Sequence, residues 1–332
     1  MLTTLPRISL GFFPTPLHRL PNLSARLGGQ GPGPALWVKR DDQTGLATGG
    51  NKTRKLEFLV ADALQQRADT LITVGAPQSN HARQTAAAAA KAGLKAALVL
   101  RGSAPTDRTG NLLLDDLMGA DIFWAGTRPL NEATAEVAAE LSTRGQRPYL
   151  IPLGGSNPTG AIGYATAMLE LVEQMKANSI TFDAIVFATS SGGTQSGLTL
   201  GAKLSGYTGR ILGISVDHHA DQLVPLLVEL ANATAQHSGE TITFSAQDFE
   251  VNDHYLGGGY AVMGKPEREA IHLCAQTEGL LVDPVYTGRA LAGLIDLIRS
   301  GEFKAGQKVL FWHTGGTPAL FAYAAQLAAQ VT

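Results

Sequence analysis

Cysteine is nearly absent from this 332-residue chain: Cys274, in "IHLCAQTEGL", is its single thiol. One cysteine excludes an intrachain disulfide and any metal site built on several thiolates, and no metal site of another kind is expected. The half-apolar, helical setting of Cys274 predicts a packed thiol rather than a nucleophile. Charge is sparse too. Lys, Arg, Asp and Glu make up 16% of residues and sum to a net −2, with no strongly basic stretch. Nucleic acid is therefore not an expected partner, because phosphate backbones are bound by clustered Lys and Arg. No apolar run is long enough to span a bilayer, so no membrane partner is expected. The opening "MLTTLPRISLGFFPTPL" has one Arg, no Lys and three prolines. It lacks the basic end and unbroken apolar core of a signal peptide. A soluble cytoplasmic protein is the expectation.

What the chain does have is apolar bulk, 44% of residues, enough for a large core in about two domains. Strand-like runs are "LWVKR", "TLITVGA", "AALVLRG", "DIFWAG", "PYLIPLG", "AIVFATS", "ILGISV" and "KVLFWH". Several are unbroken Val, Ile, Leu and Phe, as in strands buried on both faces. Between them lie Ala- and Leu-rich helical stretches, including a packed helix over Ala86–Ala90. This alternation predicts an α/β protein with parallel-rich twisted sheets flanked by helices. Strand count suggests a large domain of residues 1–53 and 165–332, with a small α/β domain, 54–164, inserted in it.

Three loops carry candidate chemistry. "GLATGGNKT", Gly45 to Thr53, approaches the phosphate-loop pattern, but Asn51 separates Lys52 from the glycine and puts it out of register. The bland alternative is a helix start capped by Asn51. In "TVGAPQSNHARQT" a strand ends and a helix begins near Ser79 or Asn80. Gln78, Ser79, Asn80 and His81 then crowd polar groups at a strand's carboxyl end, where α/β proteins bind ligands. An N-cap accounts for Ser79 or Asn80, with His81 on the surface, but not for four polar residues in a row. In "FATSSGGTQSGL" the run Ser190, Ser191, Gly192, Gly193, Thr194 forms a small-residue cradle whose N–H groups suit one phosphate. A plain tight turn is the alternative there. "WHTGGTPAL" is a further loop of this kind. Glycine loops at strand ends, without a Walker or dinucleotide pattern, suggest a monophosphate cofactor held together with a lysine. That combination points to pyridoxal phosphate.

"KRDDQTGLATGGNKTRKLEFL" together with "GAPQSNHARQTAAAAAKAGL" resembles the fold type II pyridoxal-phosphate enzymes, which share the tryptophan synthase β-like fold. Within them it resembles the D-cysteine desulfhydrase and 1-aminocyclopropane-1-carboxylate (ACC) deaminase family, from "FPTPLHRL" to "HTGGTPALFAY". The resemblance implies that Lys52 is the Schiff-base lysine and that Ser191, Gly192, Gly193 and Thr194 hold the phosphate. It implies that Asn80 meets the cofactor's phenolic oxygen. Ser79, with Gln78, Asn80 and His81, would receive the substrate. Tyr286 in "DPVYTGRA" and Tyr260 in "GGGYAVMG" match active-site tyrosines, although Gly258 and Gly259 depart from the family's pattern. ACC deaminases resemble "DPVYEGK" at the first of these; Thr287 stands in place of the Glu. A hydroxyl facing the pyridine nitrogen does not favour its protonation as a carboxylate would. That favours β-elimination over ring opening. The implied reaction converts a small amino acid, D-cysteine first, to pyruvate, hydrogen sulfide and ammonia, in a homodimer. L-cysteate, giving sulfite, and ACC are the alternatives, as is a protein that binds pyridoxal phosphate without turnover. A nucleotide-dependent kinase is the reading that the Lys52 loop leaves open from outside the family.

Overall fold

The computed structural model describes residues 5–28, 31 and 33–328. Its strands are β1 (Leu17–Arg19), β2 (Ala35–Arg40), β3 (Thr70–Gly75), β4 (Lys95–Leu100), β5 (Asp121–Trp124), β6 (Pro148–Ile151), β7 (Ala184–Thr189), β8 (Arg210–Ser215), β9 (Glu250–Asn252) and β10 (Lys308–His313). The helices are α1 (Pro21–Leu27), α2 (Lys52–Gln65), α3 (Asn80–Ala92), α4 (Asn111–Leu117), α5 (Leu130–Thr143), α6 (Pro158–Ala177), α7 (Gly193–Ser205), α8 (Ala220–His237), α9 (Lys265–Glu278), α10 (Thr287–Arg299), α11 (Ala319–Ala322) and α12 (Ala324–Ala328).

Two sheets result. One runs β1-β2-β10-β7-β8-β9, and the other β5-β4-β3-β6. All pairings are parallel except β1 with β2. Both faces of each sheet are covered, which is why the strands read as unbroken apolar runs. In the four-stranded sheet Leu71, Leu98 and Leu100 pack with α2 and α3, while Ile72, Ala97 and Val99 pack with α5. Successive residues thus serve opposite cores, as the two-residue period of a strand requires. In the larger sheet Val186, Val309 and Phe311 face α9 and α10, while Ile185, Phe187 and Leu310 face α6 and α7. Cys274 is buried in the first of these clusters. All eight strand-like runs form strands. The short edge strands β1 and β9, and helices α8 and α10, were not anticipated.

The expected domain edges, 53/54 and 164/165, fall inside α2 and α6. These two helices are continuous and cross tightly: a Cβ on Gly163 would lie 2.4 Å from the Arg54 carbonyl oxygen. A buried ion cluster ties them to the larger sheet. Arg54 donates to Asp41 Oδ1 at 2.8 Å and to Glu170 Oε2 at 2.9 Å. Tyr164 and Trp312 donate to Asp41 Oδ2 at 2.6 and 2.8 Å. Burial alone would raise the Asp41 carboxyl, but the Arg54 guanidinium, with Lys39 and the Tyr164 hydroxyl, holds it at about 2. Much of "KRDDQTGLATGGNKTRK" is therefore scaffolding around one lysine.

Candidate active site

Lys52 opens α2 after a loop of unusual backbone. Ala47 and Thr48 have positive φ of 43° and 68°, and Gly49 and Gly50 have 73° and 131°. A Cβ on Gly49 would lie 2.0 Å from the Asp42 carbonyl oxygen, so the loop closes only with glycine there. Asn51, expected as a cap, makes no capping bond. Its side chain instead bridges: Oδ1 accepts from Lys52 Nζ at 3.0 Å, and Nδ2 donates to Thr194 Oγ1 at 3.2 Å. Burial, then the nearby Arg83 charge, lowers the Lys52 amine from 10.5 to about 8, with Asp283 pulling the other way.

Lys52, Ser79, Asn80, His81, Ser191, Gly192, Thr194, Tyr260 and Tyr286 all line one cavity of about 450 Å³, a volume typical of small-molecule sites. Its walls come from the loops at the carboxyl ends of strands of both sheets. Ser79 caps α3, accepting from Ala82 N–H at 3.1 Å, which leaves its own proton free. Asn80 and His81 follow in the first turn. His81 is buried on the cavity wall rather than on the outer surface, and shares a hydrogen bond with Thr73 Oγ1 at 2.9 Å. Burial, reinforced by the Lys52 and Lys55 charges, pushes its pKa well below 6.5, so the imidazole is neutral. Gln78 is a correction. It does not line the cavity, and its amide is spent on structure: Nε2 donates to Thr109 O and Oε1 accepts from Asn111 N–H, both at 2.9 Å. It is not available to a substrate.

On the facing wall α7 begins at Gly193 with no side-chain cap and no acidic residue in its first turn. Gly193 N–H donates to Ser156 Oγ at 3.1 Å, and Ser156 shares a hydrogen bond with Ser191 Oγ at 2.8 Å. Lys55, one turn after Lys52, reaches the same place. Its Nζ donates to the Gly154 carbonyl oxygen at 3.0 Å and to Ser156 Oγ at 3.3 Å. Lys55 is 1% exposed, and burial, then the Lys52 charge, drives its pKa well below 10.5. Two buried lysine amines on neutral partners, next to the N-terminus of α7, form a pocket suited to an anion.

Tyr286 and Tyr260 meet edge to face, and their hydroxyls share a hydrogen bond at 2.6 Å. Burial raises the Tyr286 phenol well above its ordinary 10, reinforced by Tyr260 and by the Asp283 and Asp217 charges, so it keeps its proton at neutral pH. Thr287, expected to face the ring nitrogen, is a second correction. It is fully buried, and it lies behind the cavity wall. Its hydroxyl accepts from Asp283 N–H at 2.8 Å and donates to Asp283 Oδ1 at 2.7 Å, inside the cap that starts α10. Thr314, of "WHTGGTPAL", does line the wall, as do Thr189 and Thr194.

The family model described as "Pyridoxal-phosphate dependent enzyme" matches residues 8–315. This chain belongs to that family. Two curated relatives named D-cysteine desulfhydrase are 42% identical, in Yersinia enterocolitica, and 44% identical, in Klebsiella pneumoniae. The first alignment covers 98% of each chain and the second 97% of each. A crystal structure titled as an ACC deaminase homologue is 40% identical, with a TM-score of 0.89 over 98% of this chain and 96% of that one. The fold is the fold type II arrangement of pyridoxal-phosphate enzymes.

The pocket suits that cofactor on its own chemistry. A Cβ on Gly193 would lie 2.7 Å from Ser156 Oγ and 2.8 Å from Lys55 Nζ, so a side chain there would push both groups out of place. The charge of the pocket suits a phosphate, and the Lys52 amine, lowered to about 8, reaches its neutral, aldehyde-bonding form more readily than an ordinary lysine. Lys55, Ser156, Asn51 and Thr314 were not anticipated. Only Lys55 had a signal: it stands at i+3 from Lys52, and residues at that spacing share a helix face.

Proposed function

We propose that this enzyme is a lyase that expels a substituent from the β-carbon of a small amino acid, with D-cysteine as substrate and pyruvate, hydrogen sulfide and ammonia as products. The substrate name is carried over from relatives 42% and 44% identical over nearly the whole chain. The observation that carries the reaction type is one cavity lined by a depressed-pKa lysine and a protonated phenol. Pyridoxal phosphate held on Lys52 supplies the electron sink that lets an α-carbon lose its proton. Lys55, Ser191, Gly192, Gly193 and Thr194 would hold its phosphate, Asn80 would donate to its phenolic oxygen, and Thr314 offers a neutral hydroxyl on the wall. Ser79 Oγ–H and the free N–H groups at the start of α3 receive the substrate carboxylate, with His81 alongside as a neutral imidazole. The Lys52 amine, when free, would accept the α-proton. Tyr286, oriented by Tyr260, donates a proton to the departing sulfur.

The test is pyruvate release from D-cysteine, β-chloro-D-alanine, L-cysteate, L-serine and D-serine, and 2-oxobutanoate release from ACC. D-cysteine should have the highest kcat/KM, with sulfide formed in equal amount. Faster formation of 2-oxobutanoate from ACC, or a protein that binds the cofactor but turns over none of these, would remove the reading. L-cysteate is the second reading, and Arg101 favours it: this cation lies on the cavity wall, where it suits a sulfonate.

The same reading has the enzyme act as a homodimer in the cytoplasm. Exposed Leu113 and Leu117 stand one turn apart on α4, and Phe321 is exposed on α11. Gly110, just before α4, lies close to Ala322 of α11, so these side chains suit one apolar face covered by a second copy. Sedimentation should give twice the 34.8 kDa chain mass. The lone buried thiol suits a reducing compartment.

A further inference from the structure

We infer that Asn111 is a positioning residue that decides which end of the Asn80 amide faces the cofactor. Arg83 has a guanidinium with donors and no acceptor. Its Nε donates to Asn111 Oδ1 at 3.1 Å, so the oxygen of Asn111 must face Arg83. The other end of Asn111 is then its NH2 group. That group donates to the Gln78 carbonyl oxygen and to Asn80 Oδ1, both at 2.9 Å. The Gln78 carbonyl has no proton to give, which fixes Asn111 a second time, independently of Arg83. Asn80 must therefore present its oxygen to Asn111. The end left for the cavity is Nδ2, an N–H donor.

Arg83 and Asn111 are fully buried, and neither lines the cavity. Their effect on the site passes through Asn80. Gln78 belongs to the same device, since its Oε1 accepts from Asn111 N–H and anchors the start of α4. The Arg83 guanidinium also donates through Nη1 to the Ala47 and Gly49 carbonyl oxygens, in the loop that leads to Lys52. One buried cation thus orients both the lysine loop and the amide across from it. Asp115, one turn along α4 from Asn111, is the carboxyl that interacts with Arg83, and burial raises it to about 8.

The consequence rests on the reading that Asn80 meets the cofactor's phenolic oxygen. A donor there favours the ionised oxygen; a carbonyl turned there by an amide flip would disfavour it. Asn111→Asp keeps the shape and the bond from Arg83, but cannot donate to Asn80. The Asn80 amide should then turn over and present its oxygen to the cavity. Asn111→Ala releases Asn80 without reversing it.

The experiment is a pH titration of the visible absorption of the bound cofactor, with cofactor affinity measured on the apoenzyme. Asn111→Asp should raise the pH of the spectral transition by roughly one unit and weaken cofactor binding about tenfold. It should lower kcat while leaving KM nearly unchanged. Asn111→Ala should shift the transition in the same direction by less. A purely structural role predicts the reverse order, because alanine leaves the larger cavity. An Asn111→Asp transition at the wild-type pH, or a larger shift from alanine, overturns the inference. If the aspartate variant does not fold, the alanine variant decides alone: no shift overturns the relay. Asn80→Ala separates the two levels. A shift there without one in the Asn111 variants removes the relay and keeps the role of Asn80. No shift with Asn80→Ala removes both.

Discussion

Lys52 has an amine that burial brings to about 8, so its readiness to bond an aldehyde depends on pH. The amine attacks only when neutral. Mixing apoenzyme with pyridoxal phosphate should give a rate of visible-band formation that rises with pH through about 8 and then levels off. A rate that does not change between about pH 6.5 and 9.5 would contradict the depressed value. Borohydride reduction should place the label on Lys52, and Lys52→Ala should abolish turnover. Lys55 makes a separate case. Its charge is buried and rests on a carbonyl and a hydroxyl, an arrangement that costs the empty protein stability. Lys55→Met should therefore leave the apoenzyme's melting temperature unchanged or higher, while weakening the cofactor at least about tenfold. Calorimetry and apoenzyme titration read the two effects, and lower apo stability with unchanged affinity would make Lys55 structural. Thr287, by contrast, no longer argues about reaction type, because its hydroxyl serves the Asp283 cap.

The elements that carry these residues are held by the cluster of Asp41, Arg54 and Glu170, which joins β2, α2 and α6. Asp41 has a folded-state value of about 2 against its ordinary 3.8. A depressed carboxylate contributes stability above its unfolded value and loses it as pH falls through the folded one. The window is thus from about pH 4 down to about pH 2. The wild-type unfolding free energy should lose ~2 kcal/mol more across that window than the same loss in Asp41→Asn. That variant should already be destabilised at pH 7, since it leaves Arg54 short of its charge partner. Equal acid sensitivity in the two proteins would take the cluster out of the acid response. The close crossings are made by glycine. A Cβ on Gly197 of α7 would lie 2.3 Å from the Ala161 carbonyl oxygen of α6, so the backbones themselves are in contact.

For the whole molecule, the cavity walls come from both sheets, and the pocket suits an anionic ligand. Saturating pyridoxal phosphate should therefore raise the melting temperature of the protein as a single transition. At a hundredfold excess over Kd the gain is about 2.7 kcal/mol. Hydrogen exchange should slow in β3 and in β7 together. Protection confined to one sheet would argue against a shared site. The division into a large and a small domain remains our proposal, redrawn so that α2 and α6 stay whole, and the same exchange experiment reads it.

The alternation of apolar runs with helical stretches was enough to place the eight principal strands, because strands covered on both faces must be apolar throughout. Two motifs were enough to name the family, since a lysine among glycines and a Ser-Asn helix start are local arrangements. The missed strands are those without a local signature. β1 and β9 are three-residue edge strands, defined by the partner they pair with. Gln78 and Thr287 looked like site residues because they adjoin true ones, yet a step of one residue along the chain turns a side chain away from the cavity. Their partners, Asn111 and Asp283, are 33 and 4 residues away. Lys55 reads as one more helix lysine until the fold buries it against Gly154, 99 residues on. Residue type and spacing determined which chemistry this chain can hold. Which side chains face the cavity, and which spend their hydrogen bonds behind it, was decided by packing between segments far apart in sequence, where each buried donor and acceptor has to find its partner.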